Sequence, residues 1–315
     1  MKPVVSFEES PEGACGDLLS RRPAEPDRPR VGLLACGYFE YWRMFSPAFK
    51  RQVLGDIRRF AASLRREADV VFPGVVDTLE AAERAGRAFA RQPLDLLVVL
   101  EGTYVPDFMS LQALDQAPGV PVVLVSSQTG EDIGPRDDYE RLMRNSALIG
   151  TTQLSGSFKK MGRACDIVVG AIEDPALYAE LGALARTARA VRRLRRMAIG
   201  LVGHVFRGMY DLENDKTKIK AALGPSVITV DLSHLVRHWK RVSARDASRA
   251  ARAFAKRFRT RGIRQRDLEK SVRVGLAMQR LVDAMSLDGL CFLGQHYIER
   301  EMDAPARIGA CMLMD

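Results

Sequence analysis

The sequence predicts an α/β protein built from two doubly wound, Rossmann-like parallel-sheet domains. Three observations predict it. Short, nearly continuous apolar runs recur, among them "RVGLLAC" (30–36), "LDLLVVLEG" (94–102) and "VPVVLVSS" (120–127). Strands covered on both faces read this way. Amphipathic helical segments alternate with those runs, which is the pattern of βαβ units. The alternation then restarts at Met197, after the long helical stretch "ALYAELGALARTARAVRRLRR" (176–196).

The elements follow in order. "RVGLLAC" is a first buried strand, and "FKRQVLGDIRRFAASLRRE" (49–67) has helical periodicity. "ADVVFPGVV" (68–76) is a strand, "TLEAAERAGRAFARQ" (78–92) a helix, "LDLLVVLEG" a third strand, and "FMSLQALDQA" (108–117) a short helix before "VPVVLVSS". "YERLMRNSALIGTTQLSGSFKKMGR" (139–163) is helical and broken by glycines, and "CDIVVGAI" (165–172) is a strand. After the connecting helix come "MAIGLVG" (197–203), a helix "KTKIKAALG" (216–224) closed by glycine, and "SVITVDL" (226–232). A long basic helical region follows, then helix and strand over 271–294. The implied organisation is a disordered lead-in over 1–28, a first domain over 29–195 and a second over 196–315. The lead-in is rich in Pro, Glu, Arg and Gly, a composition that buries little apolar surface.

Hydrophobic residues make up 47% of the 315, enough for real cores, and no apolar run reaches the roughly 20 residues that span a bilayer. The N-terminal stretch lacks the apolar segment of a secretory signal. Cys15, Cys36, Cys165, Cys291 and Cys311 form no CxxC pair. Reduced thiols in the cytoplasm are therefore expected, and not a disulfide frame or a zinc site. Arginine dominates the net charge of +9, notably in "RHWKRVSARDASRAARAFAKRFRTRGIRQR" (237–266). Ala247, Ala250, Phe254 and Phe258 recur at helical spacing, with Arg245, Arg249 and Arg252 on another stripe. That reads as an amphipathic helix with a solvated basic face; anion or RNA binding is the alternative. Aromatics are not interleaved as single-strand platforms require, so a nucleic-acid partner is not expected, and neither is a membrane.

Ligands of doubly wound sheets sit outside the carboxyl ends of the strands. The loops there read "GYFEYW" (37–42), "EGTYVPDFM" (101–109), "SSQTG" (126–130) and "GHVFRGMYD" (203–211). None is a GxGxxG or a P-loop, so nucleotide binding has little support. Aromatic faces with amides, hydroxyls and Arg suit a polyhydroxylated small molecule. Each candidate has a structural alternative. Tyr41 and Trp42 could pack under the next helix, Arg207 could pair with Asp211 or Glu213, and His204 could satisfy a carbonyl. Asp211 and Asp215 precede a helix, where capping is their expected role.

From Val31 onward the chain resembles the L-arabinose isomerase and L-fucose isomerase superfamily. The resemblance lies in "GYFEYW", "EGTYVPDFMSLQAL", "VPVVLVSSQTG", "LMRNSALIGTTQLSGSFKKMGR" and "GHVFRGMYDLENDKTKIKAALGPSV", in that order. It implies aldose–ketose isomerisation of a pentose or deoxyhexose, in an oligomer whose neighbouring subunit completes the pocket. It also implies substrate contacts from Phe39, Tyr41, Trp42, Thr103, Tyr104, Gln128, Phe206 and Arg207.

In the family a divalent metal, typically Mn2+, and a carboxylate move the proton between neighbouring carbons. The family's ligands lie beyond a stretch resembling "PARIGACMLMD", so the catalytic domain is expected to be absent from these 315 residues. No catalytic residue and no bound Mn2+ are expected in this chain alone. A homo-oligomer or a separately encoded C-terminal domain would then be its partner. A non-catalytic carbohydrate-binding or sensing module is the alternative. Of His204, His234, His238 and His296, His234 and His238 stand four apart, but Arg237 and Trp239 flank them in a basic helix, and no HExxH occurs, so a metal there is not expected.

Overall fold

The computed structural model describes residues 28–129, 134, 138–205 and 208–314. The expected lead-in, Cys15, Phe206 and Arg207 lie outside the described residues, apart from Arg28 at the edge of the lead-in. The chain divides into two compact units at Arg192/Arg193.

In the unit ending at Arg192, six parallel strands form one sheet: β1 (Arg30–Cys36), β2 (Asp69–Val71), β3 (Val75–Val76), β4 (Leu96–Glu101), β5 (Val122–Gln128) and β6 (Asp166–Ala171). The order is β2–β1–β4–β5–β6, with β3 also on β1. The expected strand over 68–76 is two pieces, each pairing with one end of β1. Pro73 offers no N–H to a ladder and Gly74 takes φ +113°, a conformation open to glycine.

Alternation along the strands explains the winding. Val31, Leu33, Leu96, Val98, Leu100, Val123 and Val125 face one core, with α2 (Pro47–Glu67) and α7 (Pro175–Arg196) over it. Leu34, Cys36, Leu97, Val99, Val122 and Leu124 face the other, under α3 (Leu79–Ala90), α4 (Asp107–Leu114) and α6 (Ala147–Lys160). Phe49, Val53, Ile57, Phe60 and Leu64 recur every three or four residues along α2 and are all buried. Each such side chain contributes about 1.5–3 kcal/mol relative to exposure. Ser46 caps α2, with Pro47 at its first position, and Thr78 caps α3.

Three expectations are corrected here. "GYFEYW" is not a loop: Phe39–Met44 forms a short helix, α1, after Tyr38. The segment over 139–163 breaks at Asn145 and Ser146, giving α5 (Tyr139–Arg144) and α6, and Gly150 and Gly156 lie inside α6, while Gly162, at φ +67°, follows its end. The basic region is two helices, α9 (Leu232–Arg241) and α10 (Ala244–Arg257), because Ser243 starts a new helix by accepting from the Asp246 N–H.

The second unit holds three parallel strands in the order β8–β7–β9: β7 (Ala198–Val202), β8 (Ser226–Val230) and β9 (Gly289–Phe292). Helix α8 (Lys216–Leu223) joins β7 to β8. It starts at Asp215, whose carboxylate accepts from the Thr217 and Lys218 N–H groups, and ends at Gly224 with φ +94°. Asp215 thus has the capping role expected of it. Helices α9, α10 and α11 (Gln265–Ala284) join β8 to β9, and Val202 and Val230 pack in one core with Leu235 of α9 and Val274, Leu276 and Met278 of α11. Helices α12 (Gln295–Met302) and α13 (Arg307–Met314) complete the unit. Among the described residues no helix is long and apolar enough to cross a membrane.

Candidate functional site

In the first unit the strand order reverses at β1, so the crevice between the carboxyl ends of β1 and β4 is the expected binding position. Cys36 and Glu101 are register partners there, and the Gly102 N–H donates to the Cys36 carbonyl at 2.8 Å. The residues expected from sequence gather around this edge in three different settings.

The aromatic group sits on and beside α1. Tyr41 and Trp42 are half-buried against the α2 core, as is Tyr104 from the loop after β4. The Trp42 indole donates to Asp77 at 2.9 Å. A Cβ on Gly37 would come within 2.5 Å of the Trp42 ring, so glycine is required at the end of β1 for the indole to lie there. Tyr38 stacks edge-on with Tyr41 at 5.2 Å and with Phe39 at 5.3 Å. Burial, reinforced by nearby Glu40, raises the Tyr38 phenol above its ordinary value, and burial with Tyr139 raises Tyr41. Both therefore remain neutral hydroxyls able to donate and accept.

Thr103 is fully buried, and its hydroxyl donates to the Tyr104 carbonyl at 3.1 Å. It shapes the loop and does not face solvent, unlike the role the resemblance implies. The Tyr104 N–H donates to Ser146 at 2.7 Å, tying that loop to the break before α6.

Gln128 ends β5 with its side chain exposed. It opens on a narrow cleft with Gly102, Ser127, Thr129, Asp56 and Arg144. The Arg144 guanidinium holds Asp56 by two bonds, at 2.9 and 3.1 Å, and both groups are largely buried. The Thr129 hydroxyl and N–H both donate to the Asn145 amide oxygen, at 2.9 and 3.1 Å. The cleft therefore offers an exposed amide on a rigid polar frame.

Sequence reasoning missed Glu101. It is 1% exposed, and neither carboxyl oxygen has a hydrogen-bond partner. Burial raises its pKa well above the usual carboxylate range, and Asp107 raises it further. A Cβ on Gly150 would lie 1.6 Å from Glu101 Oε2, so the carboxyl is sealed beneath α6. Its neighbour Cys36 lies 3.4 Å from Ser110 Oγ, and burial pushes the thiol up to about 12. The Asp107 carboxylate accepts from Ser157, and its other oxygen is buried without a partner. The only sequence signal was a lone Glu closing an otherwise apolar strand.

At the carboxyl edge of the second sheet, Gly203 turns with φ +85°, and a Cβ there would meet the Leu293 carbonyl at 2.7 Å. The His204 and Tyr297 rings lie 4.9 Å apart, and Tyr297 and His296 4.1 Å. Asp231 caps α9, and its bonds to Ser233 hold its carboxyl below the usual range, with His234 and His204 adding to this. Burial and then Arg241 depress His238. Among the described residues no three of His, Cys, Asp and Glu come together to hold a metal ion. These residues do not fit the divalent metal that the resemblance implies.

No model of a known protein family matches the sequence, and no curated protein matches it.

Proposed function

We propose that the chain is a sugar-isomerase-like protein of the L-arabinose and L-fucose isomerase type, working in the cytoplasm on a pentose or deoxyhexose. The exposed Gln128 amide at the carboxyl end of the first sheet supports this reading; the cleft beneath it, about 10 Å³, has room for one water, so the sugar would lie over its mouth. There the exposed Gln128 amide stands beside Ser127 and Thr129, over the fixed Asp56–Arg144 pair. A sugar hydroxyl both donates and accepts, and an amide matches it in both senses. In this proposal the neutral hydroxyls of Tyr38 and Tyr41 and the ring of Phe39, which follow β1, supply further hydroxyl and C–H contacts.

In this proposal the first unit binds and orients the sugar. Proton transfer is not assigned to Glu101: its raised pKa suits an acid–base group, but it is sealed from solvent. A second copy, or a separately encoded domain, would complete the site in this reading; the alternative reading is a carbohydrate-binding module without catalysis.

Calorimetric titration of the full chain with L-arabinose and L-fucose, with and without Mn2+, tests both. Binding of either sugar is expected. Gln128→Ala should weaken it about tenfold, the value of roughly one to two hydrogen bonds. Sugar binding without turnover by the chain alone is expected under both readings, and turnover by the chain alone would show that it carries a complete site. No heat or stabilisation from any pentose or deoxyhexose would overturn both readings.

A further inference from the structure

The segment over 237–266 carries twelve Lys and Arg against one acid, Asp246, a net +11 in a chain whose total is +9. The rest of the molecule is thus close to neutral in net charge, though it holds a second arginine-rich stretch at 186–196. All twelve cations are exposed. On α10, Arg245, Arg249, Arg252 and Lys256 fall within one narrow stripe, at steps of four, three and four residues. At 1.5 Å per residue they span about 16 Å. The opposite side of α10 is the core side, where Ala247 and Ala251 are buried. Arg257, Arg259, Arg261, Arg264 and Arg266 continue the field through the turn into α11. Acids meet it at several points: Asp246 takes Arg249 at 3.3 Å and Arg280 at 3.5 Å, Asp267 takes Arg264 at 2.7 Å, and the Arg252 charge acts on Glu269.

We infer that the α10 stripe and the turn after it form a docking surface for the phosphate backbone of a double-stranded nucleic acid, read without regard to sequence. Each strand of a duplex carries one phosphate per about 3.4 Å of axis, so a stripe of cations about 16 Å long runs alongside about five phosphates of one strand. A helix that inserts into lipid needs an apolar face turned outward, and the apolar face of α10 is already buried. Phe258 and Ile263, 41% and 47% exposed, are the large apolar side chains exposed on this surface. Single-strand platforms need successive aromatics interleaved with the cations; the α10 stripe carries none, and Phe258, with Arg257 over its ring, is a single aromatic at the start of the turn. Backbone contact to a duplex needs only charge at the right spacing.

The test is fluorescence anisotropy of a labelled DNA duplex of mixed sequence with the full chain, across a salt series. Four phosphates neutralised by the stripe give a log–log salt slope of about −3.6, or roughly 150-fold weaker binding from about 50 to about 200 mM salt. Replacing Arg245, Arg249, Arg252 and Lys256 together by Gln should remove most of that slope. Replacing the three arginines by Lys should keep it, which separates charge from any loss of fold. A control with Arg51→Gln, Arg58→Gln and Arg65→Gln on α2 should bind as the parent does. The inference is overturned if the parent does not bind the duplex at low salt, or if the Gln variant keeps the parent's slope. It is equally overturned if the Lys variant loses binding, or if phosphatidylserine vesicles bind more tightly than the duplex.

Discussion

Glu101 shows how one residue can carry a pH dependence for a whole unit. Its pKa in the fold is raised above its ordinary 4.5 by burial and by Asp107, so the folded state holds the proton more tightly than the unfolded chain. Its stabilising effect is complete below the unfolded value and is lost as pH rises through the folded one. Urea midpoints should therefore fall with rising pH in the parent, and the fall should be smaller in Glu101→Gln, which cannot ionise. An unchanged pH profile in the variant would show that the carboxyl finds a partner in solution. Gly150 gives a companion prediction. Gly150→Ala drives a methyl into the Glu101 carboxyl and should cost about 1–3 kcal/mol by overpacking. In a Glu101→Ala background that cost should shrink, and a double-mutant cycle measures the coupling.

At the scale of elements, side-chain bonds join helices that are distant in sequence. Asp56 on α2 holds Arg144 on α5 through two bonds and also takes Arg59 at 2.5 Å. The Asp56 side chain is 6% exposed and Arg144 13%. Removing one partner of a buried pair leaves the other charge uncompensated, at a cost of about 3–5 kcal/mol. Asp56→Ala should destabilise the first unit by roughly the lower figure, since Arg144 reaches some solvent at the cleft. Chemical denaturation reads this directly, and a change below about 0.5 kcal/mol would mean that the pair behaves as a surface bridge. The same substitution loosens the cleft beside Gln128, so any sugar affinity should fall with it.

For the whole molecule, the division at Arg192/Arg193 separates distinct hydrophobic cores. Residues 28–192 contain both faces of the six-stranded sheet, with Phe49, Phe60, Phe89 and Phe158 fully buried. The buried Asp95 carboxylate is satisfied inside that unit by Arg192 at 2.5 Å and the Arg30 N–H at 2.8 Å. A fragment of residues 28–192 should accordingly fold alone and unfold in one cooperative transition by circular dichroism and tryptophan fluorescence, Trp42 being its reporter. A fragment ending before Arg189 should be weaker, because Asp95 would lose both Arg192 and Arg189, the latter 3.5 Å from its carboxylate. If the 28–192 fragment lacks a cooperative transition, the two units depend on each other for folding.

The sequence by itself determined the fold class, since apolar runs covered on both faces leave little alternative to a parallel sheet between helices. It also determined the helix start at Asp215, because a capping side chain acts on its own next turn. The exposed end of β5 at Gln128 was legible for the same local reason. What only the tertiary structure decided depends on partners far along the chain. The aromatic loop after β1 became a helix whose indole reaches Asp77. Thr103 turned inward to its own loop. Glu101 was sealed by a glycine 49 residues later. None of these can be read from a residue's neighbours in sequence, because burial, ion pairing and close approach arise when distant segments pack together.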